Sequence, residues 1–385
     1  MPFKKRRILQ VMSGYGGGIS AFLENKARAL KTSDLVFDVV TFDHCPASFT
    51  SAIEAMGGQV YQLPNPKQAG WRRFFSAYHD VYVAHSYDVV HCHIAGYRML
   101  VHWLMAKRQG VPAFYVHAHT AYVNLSAYRL RHLGLWLDQW LNRSLSRRPV
   151  GCSTEALATI FGAAFKRDES VLIPNSIAVR DFALTPSAQA EAAKLARQEF
   201  QLPVGKKLIA HIGRLKTVKN HRLTFQVAKA AKRAGLPWHF LVVGEGPLAE
   251  TLSQQLKDEG LSAYVTLLGR VEPIAPLYPA LNAIIMPSLA EGLPTVAVEA
   301  QASGVPVVLS DVITREVDLG LGLLTYQSLA ASPAAWLQAL EASLTQATVP
   351  AADRLEALDA KKFSNEASAE LYRRFLKGEL RSYQW

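Results

Sequence analysis

Short apolar runs alternate with longer stretches of helical periodicity along the whole chain. In the first half, residues 7–12, 37–41, 88–91, 113–117 and 149–152 read as strands. In the second half, 208–211, 239–243, 265–268, 283–286 and 305–309 do the same. Strands that alternate with helices predict parallel sheets covered by helices, an α/β chain built of two Rossmann-like domains. Between the two sets, VLIPNSIAVRDFALTPSAQA is rich in proline and small polar residues and marks a linker near 174–205. The domains are therefore drawn as 1–176 and 177–363. A last helical pattern over 365–376 is read as crossing back, so that 364–385 joins the first domain. Two such domains are expected to face each other across a cleft, where ligands bind.

One apolar stretch carries charge of one sign only. In PSLAEGLPTVAVEAQASGVPVV, Glu291 and Glu299 stand among small and apolar residues with no lysine or arginine. Gly292 permits a turn, Pro294 suits the first position of a helix, and 295–302 read as that helix. The two carboxylates then lie roughly 10 Å apart at 1.5 Å rise per residue, with a helix N-terminus between them. Unpaired N–H groups there suit a phosphate. Hydroxyl-binding groups flanking an anion site match a nucleotide sugar; two surface glutamates beside an ordinary helix is the plainer alternative.

HIGRLKTVKNH follows the first strand of the second domain and places Arg214 and Lys219 in a strand-to-helix loop, with a helix starting near His221. Both can converge on one phosphate-sized anion. Loops that follow parallel strands share one sheet edge, so this loop and the Glu291 loop are expected in the same cleft. SGYGGGISAF follows the first strand of the chain, and its glycines allow close backbone approach to a ligand. Asp43 lies near the end of the second strand, which leaves a nicotinamide-type dinucleotide fold open on this motif alone. His117 and His119, two apart on a strand, face the same way, and His91 and His93 repeat the pattern one strand earlier. Histidines satisfied by backbone are the plainer reading. Four-ligand spacing and HExxH are both absent, so no metal is expected. No nucleophile elbow and no Asp-x-Asp occurs.

The chain has 385 residues, 50% of them hydrophobic and 19% charged, which suits two globular cores. Cys45, Cys92 and Cys152 form no CxxC pair and point to a reducing, cytoplasmic setting. The apolar run after the basic N-terminus is too short for a signal peptide, and prolines break the uncharged stretch 273–290. The net charge of +11 is uneven: residues 1–170 carry 20 Lys and Arg against 11 Asp and Glu, and residues 171–385 carry 22 against 20. A basic first half implies an anionic partner. Trp71, Arg72, Arg73, Phe74 and Phe75 interleave aromatic with basic residues. Leu133, Trp136, Leu137, Trp140 and Leu141 share one helical face between arginines. Both stretches suit the headgroups of an anionic membrane, although a core-facing helix with solvated ends reads equally well for the second. No nucleic-acid recognition motif is present.

The stretch PSLAEGLPTVAVEAQASGVPVVLSD closely resembles the E-x7-E signature of retaining glycosyltransferases of family 4. HIGRLKTVKNH resembles that family's phosphate-binding loop and LIPNSIAVRDF its interdomain linker. GCSTEALATIFG and the HAHT stretch are similar to the branch that builds bacterial exopolysaccharides and capsules. The likeness covers most of the chain and implies a GT-B fold with the donor mainly on the second domain. It implies that Arg214 and Lys219 neutralise the donor diphosphate, Glu299 takes the ribose hydroxyls and Glu291 those of the transferred sugar. Gly292, Leu293 and Thr295 complete that side, and Gly17 and Gly18 match the first-domain glycine pair near the diphosphate. His119 matches the histidine beside the reacting sugar, with His117 as second choice. The sequence departs from the pattern at Ser20, where the branch often has an acidic residue, and at Ala178, where the linker usually has aspartate.

The resemblance implies a retaining, metal-independent transferase that needs no cofactor. It would move a sugar from a nucleotide-diphosphate donor, a UDP-sugar by expectation, to a glycan or lipid-linked oligosaccharide. It is expected in the cytoplasm, with peripheral contact at the inner membrane face left open. Three alternatives stay open at this point: a hydrolase or epimerase of nucleotide sugars that needs no acceptor, a non-catalytic nucleotide-sugar-binding subunit of a polysaccharide assembly complex, and an NAD-linked oxidoreductase.

Overall fold

A computed structural model of the chain describes residues 5–120, 129–163, 165, 167–380 and 382–383, without the side chains of 129–132. It divides into two compact units, one of residues 1–176 and 362–385 and one of residues 177–361. The first unit is built on seven strands: β1 Arg6–Val11, β2 Leu35–Thr41, β3 Val60–Gln62, β4 Val89–Cys92, β5 Phe114–Ala118, β6 Pro149–Gly151 and β7 Val171–Leu172. They pair in parallel in the order β3-β2-β1-β4-β5-β6-β7. Six strands build the second: β8 Lys207–Ile212, β9 Trp238–Val243, β10 Val265–Gly269, β11 Ala283–Met286, β12 Val307–Ser310 and β13 Leu324–Gln327. Their order is β10-β9-β8-β11-β12-β13, again in parallel. Near-continuous apolar strands are what a sheet covered on both faces requires. Two parallel-sheet, Rossmann-like units of this kind are the α/β arrangement that the alternating pattern predicts.

In the first unit, Ile8, Phe37, Val89 and Val150 of the sheet pack with Phe22 and Leu23 of the helix Gly18–Ala29, and with Leu371, Tyr372, Phe375 and Leu376 of the helix Asn365–Leu376. The last helix of the chain thus completes the core of the first unit, and its bounds are those read from the sequence. In the second unit, Ile209, Phe240, Ile285 and Val308 pack with Phe225 and Val227 of the helix His221–Arg233 and with Trp336 of the helix Pro333–Ser343. Each sheet reverses its strand order once, between β1 and β4 and between β8 and β11. The crevice outside the carboxyl ends of strands at such a reversal is where open α/β sheets place ligands. The loops after these four strands carry the glycine run, His93, Arg214 with Lys219, and Glu291.

The structure corrects the sequence reading in several places. The stretch expected as a linker over 174–205 holds two helices, Val179–Phe182 and Pro186–Glu199. Thr185 caps the second, its side chain accepting from the Ala188 amide, and Pro186 takes the first helical position. Pro294, expected there in its own helix, instead stands one residue before Thr295–Ser303 in an extended conformation. The strand read over 305–309 begins at Val307, because Pro306 has no amide for the ladder. Three strands escaped the reading: β3, β7 and β13. Ala178, where an aspartate is usual in the resembling family, precedes Val179–Phe182 without any side-chain cap. Among the described residues, no helix is long and apolar enough to cross a membrane.

Candidate active site

In the second unit, the loop after β8 and the loop after β11 are tied together at the strand-order reversal. The Leu289 amide donates to the Val218 carbonyl at 2.8 Å, and Asn220 Nδ2 donates to the Pro287 carbonyl at 3.1 Å. Lys219 Nζ donates to Glu291 Oε1 at 2.5 Å, an ion pair whose side chains are 17% and 13% exposed. Shielding from water strengthens the direct attraction of such a pair and costs desolvation of both groups. Asn220 reaches its position in the left-handed region, at φ 58°. Close packing beneath requires glycine at Gly244, where a Cβ would lie 2.1 Å from the Gly213 carbonyl oxygen.

Of the two cations expected to converge on one anion, Lys219 is paired with Glu291 and Arg214 is exposed. Glu299 lies in the helix Thr295–Ser303, where its Oε2 accepts from the Tyr278 hydroxyl at 2.6 Å. Burial pushes the Glu299 carboxyl upward, and hydrogen bonds from Tyr278 and Thr295 partly offset this. Gly292 and Leu293 are buried, and Thr295 is half-buried at the helix start. Behind the loop, His211 bonds Thr224 Oγ1 at 2.8 Å and stacks at 4.1 Å on His221, which contacts the Arg214 carbonyl. Tyr278, Asn220 and this histidine pair carried no assigned role in the sequence. Tyr278 sits in a proline-rich stretch whose only signal was its lack of charge.

In the first unit, Gly16 and Gly17 stand at φ 100° and 94°, conformations that favour glycine. Ser20, the departure noted in the sequence, ties the loop down: its hydroxyl accepts from the Gly16 amide at 3.1 Å and donates to the Gly17 carbonyl at 3.0 Å. Asp43 accepts from the Tyr15 amide at 3.2 Å, so this carboxylate is engaged by the glycine loop. Gly18 opens the helix that carries Phe22 and Lys26. The Lys26 amine is fully buried on the hydroxyls of Ser176, at 2.8 Å, and Ser368, and burial holds it well below the usual lysine range.

His91, His93, His117 and His119 form one cluster at the ends of β4 and β5. His117 and His119 stack at 4.0 Å, and Phe22 packs edge-on against both, at 5.0 and 5.4 Å. The expectation of core histidines satisfied by backbone does not hold: the partners of His91, His93 and His119 are side chains, and among the described residues neither nitrogen of His117 has a hydrogen-bond partner. His93 Nδ1 lies 2.7 Å from His119 Nε2, His93 Nε2 lies 3.1 Å from Gln10 Oε1, and His91 Nδ1 closely meets the Tyr372 hydroxyl. Burial depresses all four, His91 and His119 to about 3, so each is neutral near pH 7. One nitrogen each from His91, His93 and His117 lies within 4.8 Å of the others, close enough to raise a metal reading. Both nitrogens of His93 are already engaged, however, and the His91 and His117 rings stack at 30°. Among the described residues, His91 Nε2 and both nitrogens of His117 have no hydrogen-bond partner. His93, His117 and His119 line a cavity of about 380 Å³ together with Ser13, Ile19 and Arg98.

The two aromatic stretches separate. In the helix Trp71–Ala84, Trp71, Arg72, Arg73 and Phe75 are exposed, whereas Phe74 is fully buried against Tyr78, which corrects its placement at the surface. In the helix Arg129–Leu145, Leu133, Trp136, Leu137 and Trp140 face solvent, at 66%, 56%, 44% and 47% exposure, so the core-facing reading fails for this face; Leu141 alone of the set is buried. The arginines at the start of that helix, Arg129 and Arg131, lie outside the described side chains.

Two family models match the chain. One, for glycosyl transferases group 1, covers residues 206–346, and the other, for a glycosyl transferase 4-like domain, covers 17–176. A putative glycosyltransferase, EpsF of Bacillus subtilis (strain 168), is 30% identical over 344 residues, which is 88% of each chain. The 2-deoxystreptamine glucosyltransferase of Streptomyces kanamyceticus is 29% identical over 237 residues, 57% of this chain and 58% of that one. Among solved structures, Anabaena Alr3699/HepE in complex with UDP-glucose superposes with a TM-score of 0.74 at 20% identity, covering 97% of this chain and 99% of that one. At that identity the likeness speaks for the fold, which is GT-B.

Proposed function

The chain belongs to the glycosyltransferases, and on that premise we propose a retaining, metal-independent transfer from a UDP-sugar to a glycan or lipid-linked acceptor in polysaccharide assembly. The observation that carries this reading is the joined pair of loops in the second unit, where Lys219 and Glu291 meet at a strand-order reversal. Diphosphate develops charge as it leaves; in this reading Arg214, Lys219 and the N-terminus of Thr295–Ser303 are the groups that stabilise it. A sugar hydroxyl donating to Glu291 shares that carboxylate with Lys219, so one ion pair senses both ends of the breaking bond. Glu299, oriented by Tyr278, accepts from the ribose hydroxyls. The UDP choice is supported by the UDP-glucose bound to Alr3699/HepE, and the polysaccharide role by the likeness to EpsF. His119, which matches the histidine beside the reacting sugar in the resembling family, is given that role in this proposal. Product anomeric configuration, read by NMR, tests the course: an α-linked donor should give an α-linked product, and a β-linked product would contradict retention.

A second reading concerns the partner of the first unit. Exposed Trp71 and Phe75 beside Arg72 and Arg73, and the exposed face of Arg129–Leu145, favour peripheral contact with an anionic bilayer. Each basic residue near such a surface is worth about 1 kcal/mol. Arg72→Glu with Arg73→Glu, a net change of about four charge units, should abolish flotation with anionic liposomes at moderate salt. Unchanged flotation would remove this stretch from the reading.

A further inference from the structure

We propose that Glu291 lets the second unit tell a nucleotide sugar from the free nucleoside diphosphate that transfer leaves behind. Its carboxylate, held against Lys219, repels a bare outer phosphate and is satisfied by the hydroxyls of an attached sugar. This deepens the donor-site reading given above and rests on it.

The two tied loops are basic but for one residue. Residues 213–220 carry Arg214, Lys216 and Lys219 and no acid, and residues 287–294 carry Glu291 as their one charged group. Three cations suit a diphosphate, whereas a carboxylate 2.5 Å from one of them works against it. The loops cannot part to relieve this without breaking two bonds between them, from the Leu289 amide to the Val218 carbonyl and from Asn220 Nδ2 to the Pro287 carbonyl. Nor does Lys219 need Glu291 to hold its place. The Lys219 amide donates to the Lys216 carbonyl at 3.0 Å, and its stem lies along Gly213, where an added Cβ would stand 3.1 Å from Lys219 Cε. Backbone packing thus locates this side chain with or without a charge on the carboxylate.

An anion that reaches Lys219 therefore also meets the Glu291 carboxylate. Both side chains are largely shielded, at 17% and 13% exposure, so water screens the repulsion only in part. What the ligand carries at that end decides the outcome. In a nucleotide sugar the outer phosphate is esterified and carries about one negative charge, and the sugar beyond it brings O–H donors that a carboxylate accepts. Once the sugar has left, the same phosphate carries up to about two charges near pH 7 and is rich in lone pairs. Glu291 then faces acceptors with no sugar hydroxyl to offset them. The residue that holds the sugar thus weakens the hold on the leaving nucleotide, and the product departs more readily than from an all-cationic site.

The test is calorimetric titration of the full chain with UDP, UMP and UDP-glucose, comparing wild type with Glu291→Gln, Glu291→Ala and Lys219→Met. Glutamine keeps the volume and a carbonyl for a sugar hydroxyl; alanine removes the charge without adding an amide donor. UDP should bind both Glu291 variants about tenfold more tightly than wild type. UMP, which lacks the outer phosphate, should stay within about threefold in both, and so should UDP-glucose in Glu291→Gln. Lys219→Met should weaken UDP about tenfold or more. UDP bound equally or more weakly by the Glu291 variants, with the Lys219→Met loss in place, would overturn the inference and leave the donor site standing. A gain of about tenfold that UDP-glucose shared in Glu291→Gln would overturn the discrimination, because Glu291 would then repel both ligands alike. UDP affinity indifferent to all three substitutions, or absent from wild type, would overturn the donor-site reading and this inference with it.

Discussion

Glu291 and Lys219 show how far a residue's chemistry can be read locally. One of two carboxylates in an apolar stretch and a lysine in a basic loop each signalled a ligand, and the structure brings them to 2.5 Å. The histidine network shows the opposite case. The four histidines were visible as two alternating pairs, but Gln10 and Tyr372 lie 362 positions apart and belong to no local pattern. The network also makes a prediction about acid. His91 and His119 ionise near pH 6.5 when unfolded but are held down to about 3 in the fold, so the unfolded chain binds more protons between those values. Stability is therefore complete above pH 6.5 and is progressively lost as pH falls toward 3. Melting temperature across this range should fall with acid, and less steeply in His91→Phe. A melting temperature that stayed flat from pH 7 to about pH 4 would contradict neutral burial.

Among the elements, ten strands were legible, most of them central, buried and apolar, and β10 at an edge through its apolar run; the three missed ones also lie at sheet edges. β3 and β13 are only partly buried, and β7 has two residues, too few to show a pattern. The helices hidden in the expected linker were missed because proline and small polar residues signal caps as well as loops; Thr185-Pro186 is such a cap. The C-terminal helix was read correctly, and its role is energetic. Leu371, Phe375 and Leu376 are buried in the first unit, each worth about 1.5–3 kcal/mol. Their sum rivals the whole stability of a typical domain, about 5–15 kcal/mol. Ending the chain at Lys362 should therefore abolish the first unit's transition in calorimetry while leaving that of residues 177–361. Two intact transitions would contradict the assignment of this helix to the first core.

For the molecule as a whole, the α/β class and its two Rossmann-like units were legible because periodicity repeats in both halves. The chemical assignment was less so: it depends on which loops a sheet's strand order brings together, and strand order is not written in any one segment. Once β8 is seen beside β11, the loops carrying Arg214, Lys219 and Glu291 fall at one reversal, with Glu299 in the helix that follows. The excess of basic residues in the first 170 positions remains consistent with an anionic partner for that unit. The central claim, donor cleavage at the Lys219–Glu291 pair, is tested most directly by nucleotide release from UDP-, GDP- and ADP-sugars in the presence of EDTA, with a glycan acceptor panel. Wild type should release nucleotide from a UDP-sugar, and Glu291→Ala should lower that rate by about a hundredfold or more. Equal release by wild type and Glu291→Ala, or release that EDTA abolishes, would contradict the account.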